Sequence, residues 1–207
     1  MAKLGGWEVK VAVGKMPQKV ATAFGKLNEM VGAEYTPIAY LGSQLVNGTN
    51  HAVLAEQIIV AGKDTKNVVV VMFHETKEGV TLSGIERVLE SGGELGGVKV
   101  DVQTEIPAEA MDAFKSTFEG FVGSKIEPFA LLGTQVTKGT NYIFAATAEP
   151  VVPNPETNVE MITVNPMTKD IAFADLLASR NNIMSLGYAF TWLKRGASFG
   201  APLGEWP

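Results

Sequence analysis

Two histidines, His51 and His74, are the only imidazoles in a chain of 207 residues, and there is no cysteine. Thiolate nucleophiles, thiolate metal sites and disulfides are therefore excluded. Neither histidine sits in a clustered carboxylate pattern that would complete a metal site, so both read as hairpin-packing residues. No strand-turn-helix motif presents a serine for attack. The pairs Gly5-Gly6 and Gly96-Gly97 lack the spacing of a phosphate loop or a dinucleotide fingerprint. The residue types offer catalysis little to work with. The chain reads as a binding protein rather than an enzyme, with no cofactor and no metal.

What the chain does offer is recurrence. Gln44-Leu45-Val46-Asn47-Gly48-Thr49-Asn50 returns as Gln135-Val136-Thr137-Lys138-Gly139-Thr140-Asn141, 91 positions later, and Leu4-Gly5-Gly6 returns as Leu95-Gly96-Gly97 at the same offset. Two motifs in one register mean a duplicated unit. The boundary falls in Ser91-Gly92-Gly93-Glu94, giving domains 1–93 and 94–207. Residues 4–50 align with 95–141 without a gap, and the identical pairs include Val9/Val100, Pro37/Pro128 and Gly42/Gly133. Both repeated motifs are of the loop-forming kind, so function is expected in loops.

The elements that must position those loops follow from periodicity. Trp7 to Val13 alternates apolar and polar residues, the mark of a half-buried strand. Val20, Ala23, Phe24, Leu27, Met30 and Val31 fall three and four apart, one face of a helix over 17–31. Strands are expected over 35–46 and 51–61, joined by an Asn47-Gly48 turn whose residues tolerate positive φ. A β-branched strand at 67–73 follows, then a loop over 74–79, a short strand at 80–82 and a helix capped by Ser83. The second copy repeats the order: strand 98–105, helix near 108–122, strands 126–137, 142–152 and 158–164. Apolar residues from Ile171 to Arg195 predict a helical extension covering about 174–207. A helix crossing one face of an antiparallel sheet is an α+β layer.

Composition narrows the partners. The net charge is −5, with no cluster of Lys and Arg, which argues against nucleic acid. Residues 1–93 balance nine basic against nine acidic groups, and the second half carries the excess acid. No stretch is long and apolar enough to span a membrane. The start, Met1 to Gly6, lacks the apolar run of a secretory signal, so a cytoplasmic location is expected if the chain is complete. Asn47-Gly48-Thr49 also fits a glycosylation sequon, but a glycan at the tip would block docking, and a chance match within a hairpin is the preferred reading.

Gln44-Leu45-Val46-Asn47-Gly48 resembles the Gln-x-Val-x-Gly loop of the cystatins, inhibitors of papain-like cysteine proteases. Thr49-Asn50 and Thr140-Asn141-Tyr142 extend the likeness, and both Gly-Gly pairs match that family's N-terminal glycine region. The resemblance implies two tandem cystatin-like domains, each an antiparallel sheet wrapped around one helix. It also implies inhibition by a wedge set into the active-site cleft. Leu4 would fill an apolar pocket while Gly5 and Gly6 let the trunk bend. Gln44, Leu45, Val46, Asn47 and Gly48 would form the first loop, and the loop beginning at His74, Glu75 and Thr76 the second. In the second copy the corresponding surface is Leu95, Gly96, Gly97, Gln135, Val136, Thr137, Lys138 and Gly139.

Departures separate the copies. The Pro-Trp pair usual in the family's second loop is missing from both, leaving Glu75-Thr76-Lys77 and Asn165-Pro166-Met167. Thr137 stands where Val is expected, and Leu95 is tethered inside the chain. The first copy is therefore the expected inhibitor and the second the weaker. The other reading is a non-inhibitory binding or structural protein on the same duplicated scaffold. Strained hairpins can act as hinges for strand exchange, so the expected state is a monomer or a domain-swapped dimer.

Overall fold

A computed structural model describes residues 6–29, 32–60, 65–92 and 96–177. Leu4, Gly5, Leu95, the end of the first helix at Met30 and Val31, and the extension beyond 177 lie outside the described residues.

Among the described residues are ten strands and two short α-helices. The first half runs β1 (Trp7–Val13), α1 (Gln18–Gly25), a 3-10 turn (Lys26–Glu29), β2 (Ala33–Val46), β3 (Gly48–Ile59), β4 (Thr65–Glu75) and β5 (Val80–Glu90). The second runs β6 (Val98–Gln103), α2 (Ala108–Thr117), β7 (Ser124–Thr137), β8 (Gly139–Pro150), β9 (Asn158–Val164) and β10 (Ile171–Asp175). Each half forms one five-stranded antiparallel sheet in simple meander order, β1-β2-β3-β4-β5 and β6-β7-β8-β9-β10.

The side-chain alternation of β3 and β4 shows how the layers stack. Ala52, Leu54, Val68 and Val70 point into one core together with Leu132, Ile143, Val159 and Met161 of the other sheet. The intervening Val53, Ala55, Val69, Val71 and Phe73 point the other way, onto Val20, Phe24 and Leu27 of α1 and its 3-10 turn. The second sheet does the same, with Phe144, Ile162 and Val164 beneath Ala110 and Phe114 of α2. The two sheets thus pack face to face, and each helix lies on an outer face. Burial on both faces explains the unbroken Val68-Val69-Val70-Val71 run, where a half-exposed strand would alternate.

This architecture corrects the α+β expectation, in which each sheet wraps around one helix; most of the expected helical extension lies outside the described residues. The fold is dominated by antiparallel strands, and the helices have only 8 and 10 residues. Two misread segments account for much of the difference. Residues 83–90, expected as a capped helix, belong to the 11-residue strand β5. Residues 171–175, expected to open the helical extension, are strand β10, paired with β9 from Ile171↔Val164 to Asp175↔Glu160. In both, a neighbouring strand with unpaired backbone groups overrides local preference. The physical cause at the larger scale is the second sheet, which covers a face that a lone wrapped sheet would leave to solvent.

Two repeated glycines mark where strands cross closely. β1 slips register against β2 between Val9 and Ala12, and β6 against β7 between Val100 and Gln103. At these bulges Gly42 and Gly133 lie so near the carbonyl oxygens of Glu8 and Lys99 that a Cβ has no room.

Candidate functional site: the tip edges of the two sheets

Strand register decides which loops can act together. In the first sheet Trp7 pairs with Gln44, Val46 with Gly48, Thr49 with Glu75, and Glu75 with Val80. Gly6, the turn at Asn47 and the loop Thr76–Gly79 therefore lie along one end of the sheet, its tip edge. In the second sheet Val98 pairs with Gln135, Thr137 with Gly139, Tyr142 with Val164, and Val164 with Ile171. Gly97, the turn at Lys138 and the loop 165–170 form its counterpart. One detail of the expected second loop changes: His74 and Glu75 are the last residues of β4, and the loop itself starts at Thr76. It is closed by the Thr76 amide donating to the Gly79 carbonyl at 2.8 Å.

Each edge is held by a polar clamp across three strands. In the first, Asn50 Nδ2 donates to Gln44 Oε1 at 2.9 Å, and Asn50 Oδ1 meets His74 Nδ1 at 2.8 Å. In the second, Asn141 Nδ2 donates to Gln135 Oε1 at 3.1 Å, and Asn141 Oδ1 accepts from Asn165 Nδ2 at 2.8 Å. The repeat offset carries His74 onto Asn165 as it carries Asn50 onto Asn141. Asn165 does more than His74: it also donates to the Lys138 carbonyl at 3.1 Å and accepts from the Met167 and Thr168 amides. Gln135 Nε2 donates to the Gly96 carbonyl at 2.8 Å, tying the second glycine segment to its loop. Gln44 and Gln135, expected to touch a protease, thus spend side-chain atoms bracing the loops.

The turn glycines have a second role besides positive φ. A Cβ on Gly48 (φ +104) would lie 2.5 Å from the Glu75 carbonyl oxygen and 2.9 Å from the His74 ring. A Cβ on Gly139 (φ +89) would lie 3.0 Å from Met167 Cβ. These glycines are where the two loops of each edge touch.

Beneath the first edge runs a chain of polar contacts, buried at Tyr40 and His51 and open to solvent at Lys19. Tyr40 OH meets His51 Nδ1 at 2.9 Å, His51 Nε2 meets Glu75 Oε2 at 3.1 Å, and Lys19 Nζ of α1 reaches Glu75 Oε1 at 2.6 Å. Lys19, followed by His51, holds the Glu75 carboxyl below its ordinary range. The second half solves the same problem differently. Tyr142, at the His51 position, donates directly to Glu109 of α2 at 2.7 Å, and that bond raises its phenol.

Among the side chains the edges present outward are large apolar ones. Leu45 and Val46 are 49% and 40% exposed, and Val136 and Met167 are 70% and 66% exposed. Sequence reading found Leu45, Val46 and Val136. It placed Met167 and Asn165 in the second copy's second loop and Asn50 and Asn141 in the repeated motif, but assigned Met167 no contact role and the three asparagines no bracing role. Among the described residues no group of three His, Asp or Glu side chains could hold a metal ion, and no helix is long and apolar enough to cross a membrane. Compared with known protein families and characterised proteins, the chain matches no family profile and no characterised sequence.

Proposed function

We propose that the protein is a reversible inhibitor of papain-like cysteine proteases that sets its first tip edge into the active-site cleft. One observation carries this reading: the glycine segment at Gly6, the Gln44–Gly48 turn and the loop after Glu75 line up on one sheet end through ladder pairing. Three short segments on one pre-formed edge lose little conformational entropy on binding. Leu45 and Val46 are the apolar contacts for an apolar groove, and their exposure leaves them available. The protease thiolate would be covered without a scissile peptide being offered. Inhibition of papain with a fluorogenic peptide substrate tests this at micromolar inhibitor. Val46→Asp and Gly6→Arg are expected to abolish it, and no inhibition by the unaltered chain would falsify the reading.

A second reading is a binding protein that does not inhibit proteases. It is favoured by the second loop of the first edge, where Thr76-Lys77-Glu78 replaces a large apolar anchor and Thr76 Oγ1 bonds the Glu78 carboxylate. An aromatic anchor at such a place is a common hot spot. The same papain titration separates the two.

A further inference from the structure

We propose that an aromatic patch on the outer face of the second sheet is a docking surface for the chain's own residues 178–207. The inference stands independently of the inhibitor reading. Phe118 and Phe121, just beyond α2, each meet Phe173 of β10 with ring centroids 6.3 Å apart, and meet one another at 5.1 Å. Phe118 packs onto the outer core beneath α2, but Phe121 and Phe173 are 42% and 41% exposed. Val122 beside them is 87% exposed. Val151, whose amide donates to the Gly123 carbonyl at 2.9 Å, is 75% exposed. Clustered rings and valines left bare in this way mark an interaction surface, where scattered single ones would not. The first repeat carries no ring at these places. It has Leu27, Met30 and Ile85, the last opposite Val71 as Phe173 is opposite Ile162.

The chain supplies the occupant. The repeat is complete at Leu177, since Leu176 and Leu177 enter the shared core as Val88 and Leu89 do at the end of β5. In the first copy the next residues lead into β6, whereas the second copy has 30 more. Of the 11 residues 183–193, seven are large apolar or aromatic and none is charged. Such a run gains by leaving water, and the patch is the exposed apolar surface nearest to it in the chain.

Charge and reach agree. Residues 94–177 carry five basic and 12 acidic groups, net −7, while 178–207 carry three basic and one acidic, net +2. Glu119 follows Phe118, and Glu149 and Glu156 bracket Val151 and Val152 in sequence, so acids edge the patch that Lys194 and Arg195 approach. The Leu176 amide donates to the Val159 carbonyl at 2.8 Å, which fixes where the segment departs, three residues past Phe173. Residues 178–182 are small or polar and extend to at most about 17 Å, enough to return Ile183 to Phe173. A tether this short holds the segment at an effective concentration on the order of millimolar, so modest contacts keep it seated.

The chain has no cysteine, so Val122→Cys provides a single attachment point for a nitroxide spin label. In the full-length, isotope-labelled chain that label is expected to erase the NMR amide signals of 183–193. It should spare the Lys138 turn, at the other end of β7. Phe121→Ser with Phe173→Ser should restore the signals and speed hydrogen exchange across 183–193 by about tenfold. Should the serines disturb the second sheet, Lys194→Glu with Arg195→Glu makes the same test from the segment's side. Full signals from 183–193 in the spin-labelled chain overturn the inference. Loss of those signals in a mixture of spin-labelled and isotope-labelled chains overturns it as well, because the occupant is then a second copy.

Discussion

At the scale of single residues, the clamp side chains and the turn glycines carry the sharpest consequences. Asn165 is buried and bonded through both amide atoms, so truncation leaves the Lys138 carbonyl, Asn141 and two loop amides without it. Asn165→Ala is expected to cost about 2–3 kcal/mol in chemical denaturation, the penalty for stranded buried polar groups. Gly48→Ala combines positive φ with a Cβ pressed against the Glu75 carbonyl. A loss of about 1–3 kcal/mol is expected, together with weakened papain inhibition, because the two loops must move apart. Both repeated glycine-turn motifs could be read from sequence. That Gly48 and Gly139 also meet the neighbouring loop could not, since that contact joins residues nearly 30 positions apart.

Elements set the pH behaviour. Glu160 on β9 faces Asp175 directly across the ladder, and burial followed by that like charge pushes its carboxyl up to about 7 from an ordinary 4.5. The folded state therefore holds a proton that the unfolded state releases between those values. Stability falls as pH rises through that window, and the loss is complete above about pH 7. Glu160→Gln should raise Tm by roughly 2–4 °C at pH 8, about 1 kcal/mol after allowing for partial solvent screening. The gain should vanish below about pH 4.5. Glu75 has the opposite sign. Lys19 and His51 hold its carboxyl down, so its contribution is present above the ordinary range and lost as pH falls through the depressed value. A Lys19→Met chain should accordingly lose part of its acid sensitivity in a Tm-against-pH series.

Element boundaries show where sequence reading succeeded and where it failed. Strands β2, β3 and β7 to β9 announce themselves through β-branched runs and a turn signal. Helices α1 and α2 appear through apolar spacing but stop sooner than the spacing suggests, α1 passing into a 3-10 turn at Lys26. Residues 83–90 of β5 and the whole of β10 read as helix, because Ser83 resembles a cap and residues after Ile171 are generally apolar, while 80–82 of β5 read correctly as strand. Both are edge strands, each fixed by one partner strand, so nothing local distinguishes them.

At the scale of the molecule, one core joins both repeats. Leu132 and Leu54 are fully buried in it from opposite sheets. Leu132→Ala is expected to cost about 2–5 kcal/mol and to lower hydrogen-exchange protection in β3 and β4 as well as in β8. Loss confined to the second sheet would contradict a shared core. Strand exchange between two copies would have to open the turn at Asn47, where Val46 and Gly48 are already paired. Size-exclusion chromatography should therefore give a monomer of 22.1 kDa unless the hairpin has been opened.

The sequence by itself determined the duplication, the register of its motifs, the loops they build and the absence of thiol chemistry. These are statements about residue identity at fixed offsets, and no folding is needed to make them. Only the tertiary structure decided that the two sheets bury their inner faces against each other, because that depends on pairing between residues some 90 positions apart. Only the structure, too, brought Met167 against the Gly139 turn. The repeated turn motif is thus one side of an edge, and ladder register supplies the other.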